Sequence, residues 1–194
     1  MNKVLKFLIL SDFFFWTALG FVGPILAIYI NDDISGGTLG LTGLAMALFW
    51  IVKSMTALVT SKYTDKEPGN QRELAVLFIG SLIVIFIPIG YLLAQTIWQI
   101  IAIQVVFGLG AGLAFPGWMT IFTRFLDKGH EGFDWSMDSA SIDFGNGLAI
   151  GLSGFVAEFL GFNVLFIFSL ILNIVSFVMV IWLFKYKKEI LRRF

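Results

Sequence analysis

The sequence contains no cysteine, one histidine and only four prolines, and its formal net charge is zero. Without cysteine there are no disulfides, no thiolate metal sites and no thiol nucleophile. The single histidine, His130, is too little for a metal centre or a Ser-His-Asp triad. A net charge of zero offers no basic surface to a nucleic acid. We therefore predict that the chain is not an enzyme, has no cofactor and binds no nucleic acid.

Charge is also scarce for a water-soluble protein. Charged residues make up 13% of the chain, whereas soluble domains carry about 25%. Hydrophobic residues make up 58%, and the mean hydropathy is +0.91. Such a composition cannot cover a surface that faces water. The lipid bilayer is therefore the expected solvent of this chain and its first expected partner.

Six apolar segments each approach the ~20 residues that cross the hydrocarbon core of a bilayer. Because lipid leaves backbone polar groups without partners, each segment should be an α-helix, which predicts an all-α membrane protein. The first segment carries Asp12, lacks a small-x-small cleavage site and is too long for a signal peptide, so we expect a retained helix. The segments are residues 4–30, 39–60, 74–94, 97–122, 135–160 and 164–184.

Lysine and arginine set the expected orientation. Twelve of the thirteen fall on one side of a six-span topology, and only Lys53 lies within a span. The other side holds Asn31, Asp32 and Asp33 together with short neutral turns. By the positive-inside rule, both termini should lie in the cytoplasm and the protein in the plasma membrane. The twelve are Lys3, Lys6, Lys62, Lys66, Arg72, Arg124, Lys128, Lys185, Lys187, Lys188, Arg192 and Arg193.

The two halves of the chain look related. Pro24 lies late in the first span after two glycines, and Pro116 lies at a matching place in the fourth span after three. Interrupted helices at matching positions are typical of inverted repeats in transporters, although Gly and Pro are common in membrane helices generally. We predict a single six-helix domain, residues 1–194, built as a 3+3 inverted repeat with units of about 1–95 and 96–194.

The loop after the second span resembles a known signature. Residues 61–72, SKYTDKEPGNQR, are similar to the G-x-x-x-D-[RK]-x-G-x-[RK] loop of the major facilitator superfamily. Ser61 replaces the first glycine, and one extra residue precedes the second. The matching residues are Asp65, Lys66, Gly69 and Arg72.

Two further spans carry the resemblance. Residues 104–116 resemble the family's fourth helix, R-x-x-x-G-x-G-x-G, with Gln104 in place of the arginine. The fifth span is glycine-rich as in the family, but Leu152 follows Gly151 where antiporters have proline, so an antiporter label is not supported. The glycines of this fifth stretch are Gly145, Gly147, Gly151, Gly154 and Gly161.

The resemblance covers six spans, whereas the family normally has two six-helix halves in one chain. It implies a half-size secondary transporter that moves a small solute by alternating access, working as a parallel homodimer in which two copies supply both walls of the path. The basic tail has the composition of a finished cytoplasmic end, although a truncated half would look the same. The alternatives are a non-transporting assembly or partner subunit and one half of a heterodimeric transporter.

Charges within the spans are the candidate site, because intramembrane charge is costly and marks function. Asp12, Lys53 and Asp143 lie at similar depths and are expected to cluster, with Asp138 nearer the surface. Gln104 is a further polar candidate. The resemblance implies that spans one, two, four and five line the cavity, while spans three and six face lipid. Substrate and coupling roles are therefore predicted for these five residues.

Two readings of the cluster stay open. Its charges either pair permanently and hold the helices together, or they act in transport by exchanging a coupling proton or by binding an anionic group on Lys53. The substrate also stays open: polar and Trp residues suit a sugar, and an aromatic cavity with a carboxylate suits a lipophilic cation. Asn173 is a weaker polar candidate on a span expected to face lipid.

The loop residues form a predicted gate. The resemblance implies that the loop of Asp65, Lys66, Gly69 and Arg72 holds the cavity shut on the cytoplasmic side. Arg72 is expected to pair with Asp127, and Asp65 to lie against the N-terminus of the fifth span of the other copy, where the helix dipole favours an anion. The alternative is an ordinary solvated hairpin.

Overall fold

The computed structural model describes residues 2–66 and 71–192, and nearly all of them are helical. In this part of the chain the one pairing of extended backbone is an isolated parallel bridge between Ser35 and Thr96. A 3-10 turn, Phe184–Tyr186, precedes the last helix. The helices are α1 (Lys3–Asp33), α2 (Leu39–Thr64), α3 (Arg72–Ile85), α4 (Ile87–Leu93), α5 (Ile97–Phe125), α6 (Glu131–Leu160), α7 (Phe162–Leu183) and α8 (Lys187–Arg192).

Six segments of these helices are long and apolar enough to cross a membrane, which confirms the predicted span count. The third span differs from the prediction, because it consists of two helices, α3 and α4, that meet at Phe86. Pro88 occupies the first turn of α4, and a proline has no backbone N–H to continue the ladder of the preceding helix. Pro24 and Pro116, in contrast, lie inside unbroken α1 and α5.

Side chains cap the helix starts where the sequence offers polar residues. The Asn2 side chain accepts a hydrogen bond from Val4 N at 2.9 Å and caps α1. Thr38 begins α2 in the same way. Thr96 and Gln99 form a reciprocal capping box at the start of α5, with Gln99 Oε1 accepting from Thr96 N at 3.1 Å. These bonds satisfy N–H groups that the first turn leaves unpaired.

The helices pack as two related groups of three. In one group α5 lies between α2 and α3, and in the other α1 lies between α6 and α7. The two groups correspond when spans one, two and three are exchanged with spans four, five and six. The contact of α5 with α2 then becomes that of α1 with α6, and the contact of α5 with α3 becomes that of α1 with α7. The pattern is the one that an inverted repeat would produce, and the repeat itself stays a prediction.

The buried hydrophobic residues form two clusters, one toward each end of the bundle. One contains Tyr29, Phe49 and Phe107. The other contains Leu8 and Phe122 and lies at the end that carries both termini. Residues between these clusters along α1, α5 and α7 line an internal cavity, so the site lies near the middle of the spans.

Candidate functional site

The cavity has a volume of about 270 Å³, enough for a small solute with little water. Every one of the six spans contributes to its wall. Its lining mixes five aromatic side chains with seven polar or charged ones. The side chains on which the argument rests are Ser11, Asp12, Trp16, Lys53, Ser81, Phe115, Trp118, Trp135, Asp138, Asn173 and Ser176.

Glycines of α5 place Lys53 at the cavity wall. A Cβ at Gly112 would lie 2.7 Å from the carbonyl oxygen of Lys53 and 2.6 Å from Thr56 Cβ. A Cβ at Gly108 would lie 3.1 Å from Lys53 N. Only glycine at these positions lets α2 approach α5 so closely. The glycine-rich sequence of α5 therefore fixes where the lysine enters the cavity.

The Lys53 ammonium lies among aromatic rings. Its Nζ is 4.8 Å from the ring centroid of Trp50, 5.4 Å from that of Phe115 and 6.0 Å from that of Trp16. Among the described residues, no carboxylate lies within salt-bridge distance of this nitrogen. Ring faces stabilise a cation without neutralising it. The lysine is thus held in place with its charge still available.

Two carboxyl groups share the cavity with the lysine. Asp138 is 4% exposed, and its Oδ1 has no hydrogen-bond partner within residues 2–66 and 71–192. Asp12 lines the same cavity and interacts electrostatically with both Asp138 and Lys53. Buried polar groups without partners are rare in proteins and call for an explanation.

The structure brings only two members of the predicted cluster of Asp12, Lys53 and Asp143 to this cavity. Asp143 is exposed on the outer surface of α6, and Asp138 takes its place in the cavity. Five residues of an α-helix turn the chain through roughly 500°, so the two side chains point about 140° apart. The prediction compared depths in the membrane and neglected this rotation.

Spans three and six also differ from the expectation that they face lipid only. Their outer surfaces are apolar, but Ser81 of α3 and Asn173 and Ser176 of α7 reach the cavity. Ser176 Oγ donates to the carbonyl oxygen of Ser11 at 2.7 Å, and Asn173 Nδ2 donates to that of Ser169 at 3.0 Å. Polar residues spaced three or four apart on an apolar helix were the signal for this inner face.

Gln104 lies elsewhere. It is 3% exposed in α5, but it does not line the charged cavity. Its predicted role in substrate binding or coupling therefore finds no support in the position of its side chain.

The predicted gate is described only in part, because Gly69 lies outside the described residues. Asp65 and Lys66 are exposed at the end of α2. Arg72 Nη1 donates to the carbonyl oxygen of Tyr63 at 3.0 Å, and its guanidinium lies 4.6 Å from the centroid of that ring. Asp127 N donates to Asp134 Oδ2 at 2.8 Å. The pairing of Arg72 with Asp127 stays a prediction.

Six membrane-spanning helices around a cavity with charged groups define an integral, multi-pass membrane protein. The sequence model of the Major Facilitator Superfamily matches residues 8–193, and the chain belongs to that family.

Curated relatives agree with this assignment. Quinolone resistance protein NorA of Staphylococcus aureus, from strains Mu50 / ATCC 700699 and N315, is 24% identical to this chain over 179 residues. The matched region covers 92% of this chain and 44% of each relative. The chain thus spans somewhat less than half the length of these relatives, and the identity is low.

Proposed function

We propose that this chain forms one six-helix half of a secondary transporter that moves a small solute across the plasma membrane by alternating access. One observation carries the proposal: Lys53 and Asp138 line a membrane-depth cavity, and neither has an ion-pair partner among residues 2–66 and 71–192. Permanently paired charges would support a purely structural role. Cavity charges without ion-pair partners, here a buried Asp138 and a half-buried Lys53, are available to a solute or to a coupling proton.

The second wall of the path would come from another copy of the chain in parallel orientation. The exposed face of α6 carries Asp143, Gly147, Gly151 and Gly154 at helical spacing, and nothing lies within 4 Å of where a Cβ on these glycines would sit. An aspartate within a span is costly against lipid. Small residues on a membrane helix favour close approach of another helix.

The helix α2 offers a matching surface. Its exposed face carries Gly40, Gly43, Ala47 and Ser54, and the two glycines are likewise open. The two helices form separate edges of the body, since α2 packs on α5 and α6 packs on α1. A twofold rotation about the membrane normal exchanges these edges, so α2 of one copy would meet α6 of the other.

Orientation and gating complete the proposal. With both termini in the cytoplasm, the loop containing Asp65, Lys66, Gly69 and Arg72 lies on the inner side, where it would close the cavity against the second copy. Neutralising Asp65 should then raise the accessibility of the cavity from the cytoplasm. Unchanged accessibility in Asp65→Asn would leave the loop as an ordinary solvated hairpin.

Transport is tested in proteoliposomes with and without an imposed pH gradient. Relatives are named for quinolone resistance, so a fluorescent quinolone is the first solute to try, followed by a lipophilic cation and a sugar. We expect uptake or efflux of one of these to fall in Lys53→Ala and Asp12→Asn. If both folded variants keep the wild-type rate and the wild-type pH dependence, the cavity charges have no part in transport or coupling.

The second candidate is a subunit that does not transport alone, either a partner protein or one half of a heterodimer. The favouring observation is the open α6 face, which a different six-helix body would cover equally well. Co-purification separates the readings. A stable dimer of this chain alone supports the symmetric transporter, whereas a monomer that dimerises only with another six-span protein supports the second candidate.

A further inference from the structure

Basic residues of the two termini meet at one corner of the bundle. We call this surface the terminal basic corner. In the described part of the chain it contains a single acidic residue, Glu189, and none of its residues lines the cavity. Its basic residues are Lys3, Lys6, Lys185, Lys187, Lys188 and Arg192.

Local packing holds the corner together. Asn2 Nδ2 donates to Glu189 Oε1 at 3.0 Å, which ties the start of α1 to α8. Ile190 is 1% exposed and belongs to the same buried cluster as Leu5 of α1. The ring of Phe7 lies 5.9 Å from that of Tyr186. The charges of the two chain ends are therefore presented by one packed surface.

Charge elsewhere on the same side is balanced. The segment between the second and third spans carries Lys62, Lys66 and Arg72 against Asp65, Glu67 and Glu73. The turn between the fourth and fifth spans carries more acid than base. The whole chain has thirteen charges of each sign, so the positive excess is concentrated at the terminal basic corner.

Exposed aromatic residues at the terminal basic corner indicate that it lies at the depth of the membrane–water interface. Trp182 is 42% exposed and Phe184 is 39% exposed. Lys185 Nζ lies 3.7 Å from the ring centroid of Trp182. Exposed aromatic rings beside lysines at the end of an apolar span are typical of the headgroup region. Acyl chains would contact the rings while phosphates contact the ammonium groups.

We propose that the terminal basic corner binds the headgroups of anionic phospholipids. Charge complementarity favours this occupant, because the corner concentrates six cations beside the exposed rings of Trp182 and Phe184, and each basic residue near an anionic membrane surface strengthens binding. Glu189, the one acidic residue among the described residues of the corner, accepts a hydrogen bond from Asn2. The inference is independent of the proposed transport.

The test places the full chain in nanodiscs of equal phosphatidylcholine and phosphatidylglycerol and counts the lipids that stay bound, by native mass spectrometry. Wild type should retain phosphatidylglycerol in preference, and added salt should weaken the preference because it screens exposed charges. The triple variant Lys185→Gln, Lys187→Gln, Lys188→Gln should lose roughly tenfold or more of the preference. A control removes three exposed lysines elsewhere, through Lys62→Gln, Lys66→Gln and Lys128→Gln, and should keep it.

A variant with the opposite expected effect shows that a lost preference in the triple variant does not simply reflect misfolding. Glu189→Gln removes the acid and keeps an oxygen that accepts from Asn2, so it should raise the preference for phosphatidylglycerol. The proposal is overturned if the two triple variants lose equal preference, if the wild-type preference ignores salt, or if Glu189→Gln leaves the preference unchanged or lowers it.

Discussion

The helices α5 and α6 are both rich in glycine, yet every glycine of α5 is closely packed, whereas on α6 only Gly145 is. A Cβ at Gly108 would lie 2.8 Å from the carbonyl oxygen of Phe49 in α2, and Gly112 is similarly filled. On α6, Gly147, Gly151 and Gly154 have nothing within 4 Å. Glycines of α5 therefore find their partners within the chain, whereas this stripe of α6 has none in the part of the chain that the structure describes.

This difference gives the two helices different structural roles: α5 packs inside the six-helix bundle, whereas α6 leaves one face open to a neighbour. Close packing on α5 places Lys53 in the cavity. On α6 the inner side supplies Asp138, held at 4% exposure, while the outer side carries Asp143 beside the open glycines. Two acids five residues apart thus lie on different surfaces of α6. The outer one, Asp143, would be costly to expose to lipid, so a protein neighbour is expected there.

The largest expected effect comes from filling a closed glycine site. Gly112→Val would insert side-chain atoms where Thr56 Cβ already lies 2.6 Å from a Cβ, and overpacking typically costs about 1–3 kcal/mol. Thermal unfolding in detergent should show a clear loss of stability. The same substitution at the open Gly151 is the matched control, and in monomeric protein, where the contact with a second copy is absent, it should change stability by less than about 0.5 kcal/mol. Equal losses of stability in the two variants would contradict the proposed difference in packing between α5 and α6.

The next effect contrasts the two sides of α6. Asp138→Asn should reduce transport about tenfold, because it removes the buried acid with which the solute would bond, and a hydrogen bond to a charged group is worth roughly 1.5–3 kcal/mol. Asp143→Asn should leave the transport rate per dimer unchanged. Rates are measured in proteoliposomes at equal dimer content. A larger loss for Asp143→Asn would mean that the outer side of α6 carries the chemistry.

A moderate effect is expected on association. Gly151→Val should weaken dimerisation of the chain in lipid by about tenfold, which corresponds to 1.4 kcal/mol, because the side chain would hold the second copy away. Single-molecule counting across a range of protein-to-lipid ratios measures this. The matched control is Ile171→Ala, an exposed position on α7, which should associate as wild type does. Indistinguishable association of both variants would remove α6 from the interface.

The smallest expected loss of stability comes from removing a hydrogen bond between two helices rather than from disturbing a closely packed glycine. Ser176→Ala removes the bond to the Ser11 carbonyl oxygen, which joins α7 to α1 at 2.7 Å. Hydrogen bonds between membrane helices average about 0.6 kcal/mol, so stability should fall by about that amount. Chemical unfolding in mixed micelles measures it. A loss as large as that of Gly112→Val would show that polar bonds, rather than close packing, dominate the bundle.

Spans and family were predictable because they rest on local signals. Apolar length, the single intramembrane lysine and the loop at Asp65 can all be found without tertiary contacts. Pro88 in the third span was visible too, but Pro24 and Pro116 lie inside continuous helices, so proline alone does not locate a break. Whether a proline interrupts a helix depends on neighbouring packing.

Side-chain direction was the part that the sequence concealed. Asp138 and Asp143 are equally polar, and helical rotation relative to α1 decides which one enters the cavity. Lys53 was placed correctly within a span, but its ring contacts with Trp16 of α1 and Phe115 of α5 join helices far apart in sequence. The inward turn of Asn173 likewise follows from how α7 packs on α1.

The most direct test of the account is cross-linking between copies, because the sequence has no cysteine to give background. Chains with Gly43→Cys and chains with Gly151→Cys are co-reconstituted in lipid and oxidised. The account predicts a disulfide dimer that contains one chain of each kind, in clear excess over dimers formed when Gly43→Cys is paired with Ile171→Cys on α7. Equal yields from both pairs, or no cross-linked dimer, would contradict the proposal that α2 and α6 of two copies complete the transporter.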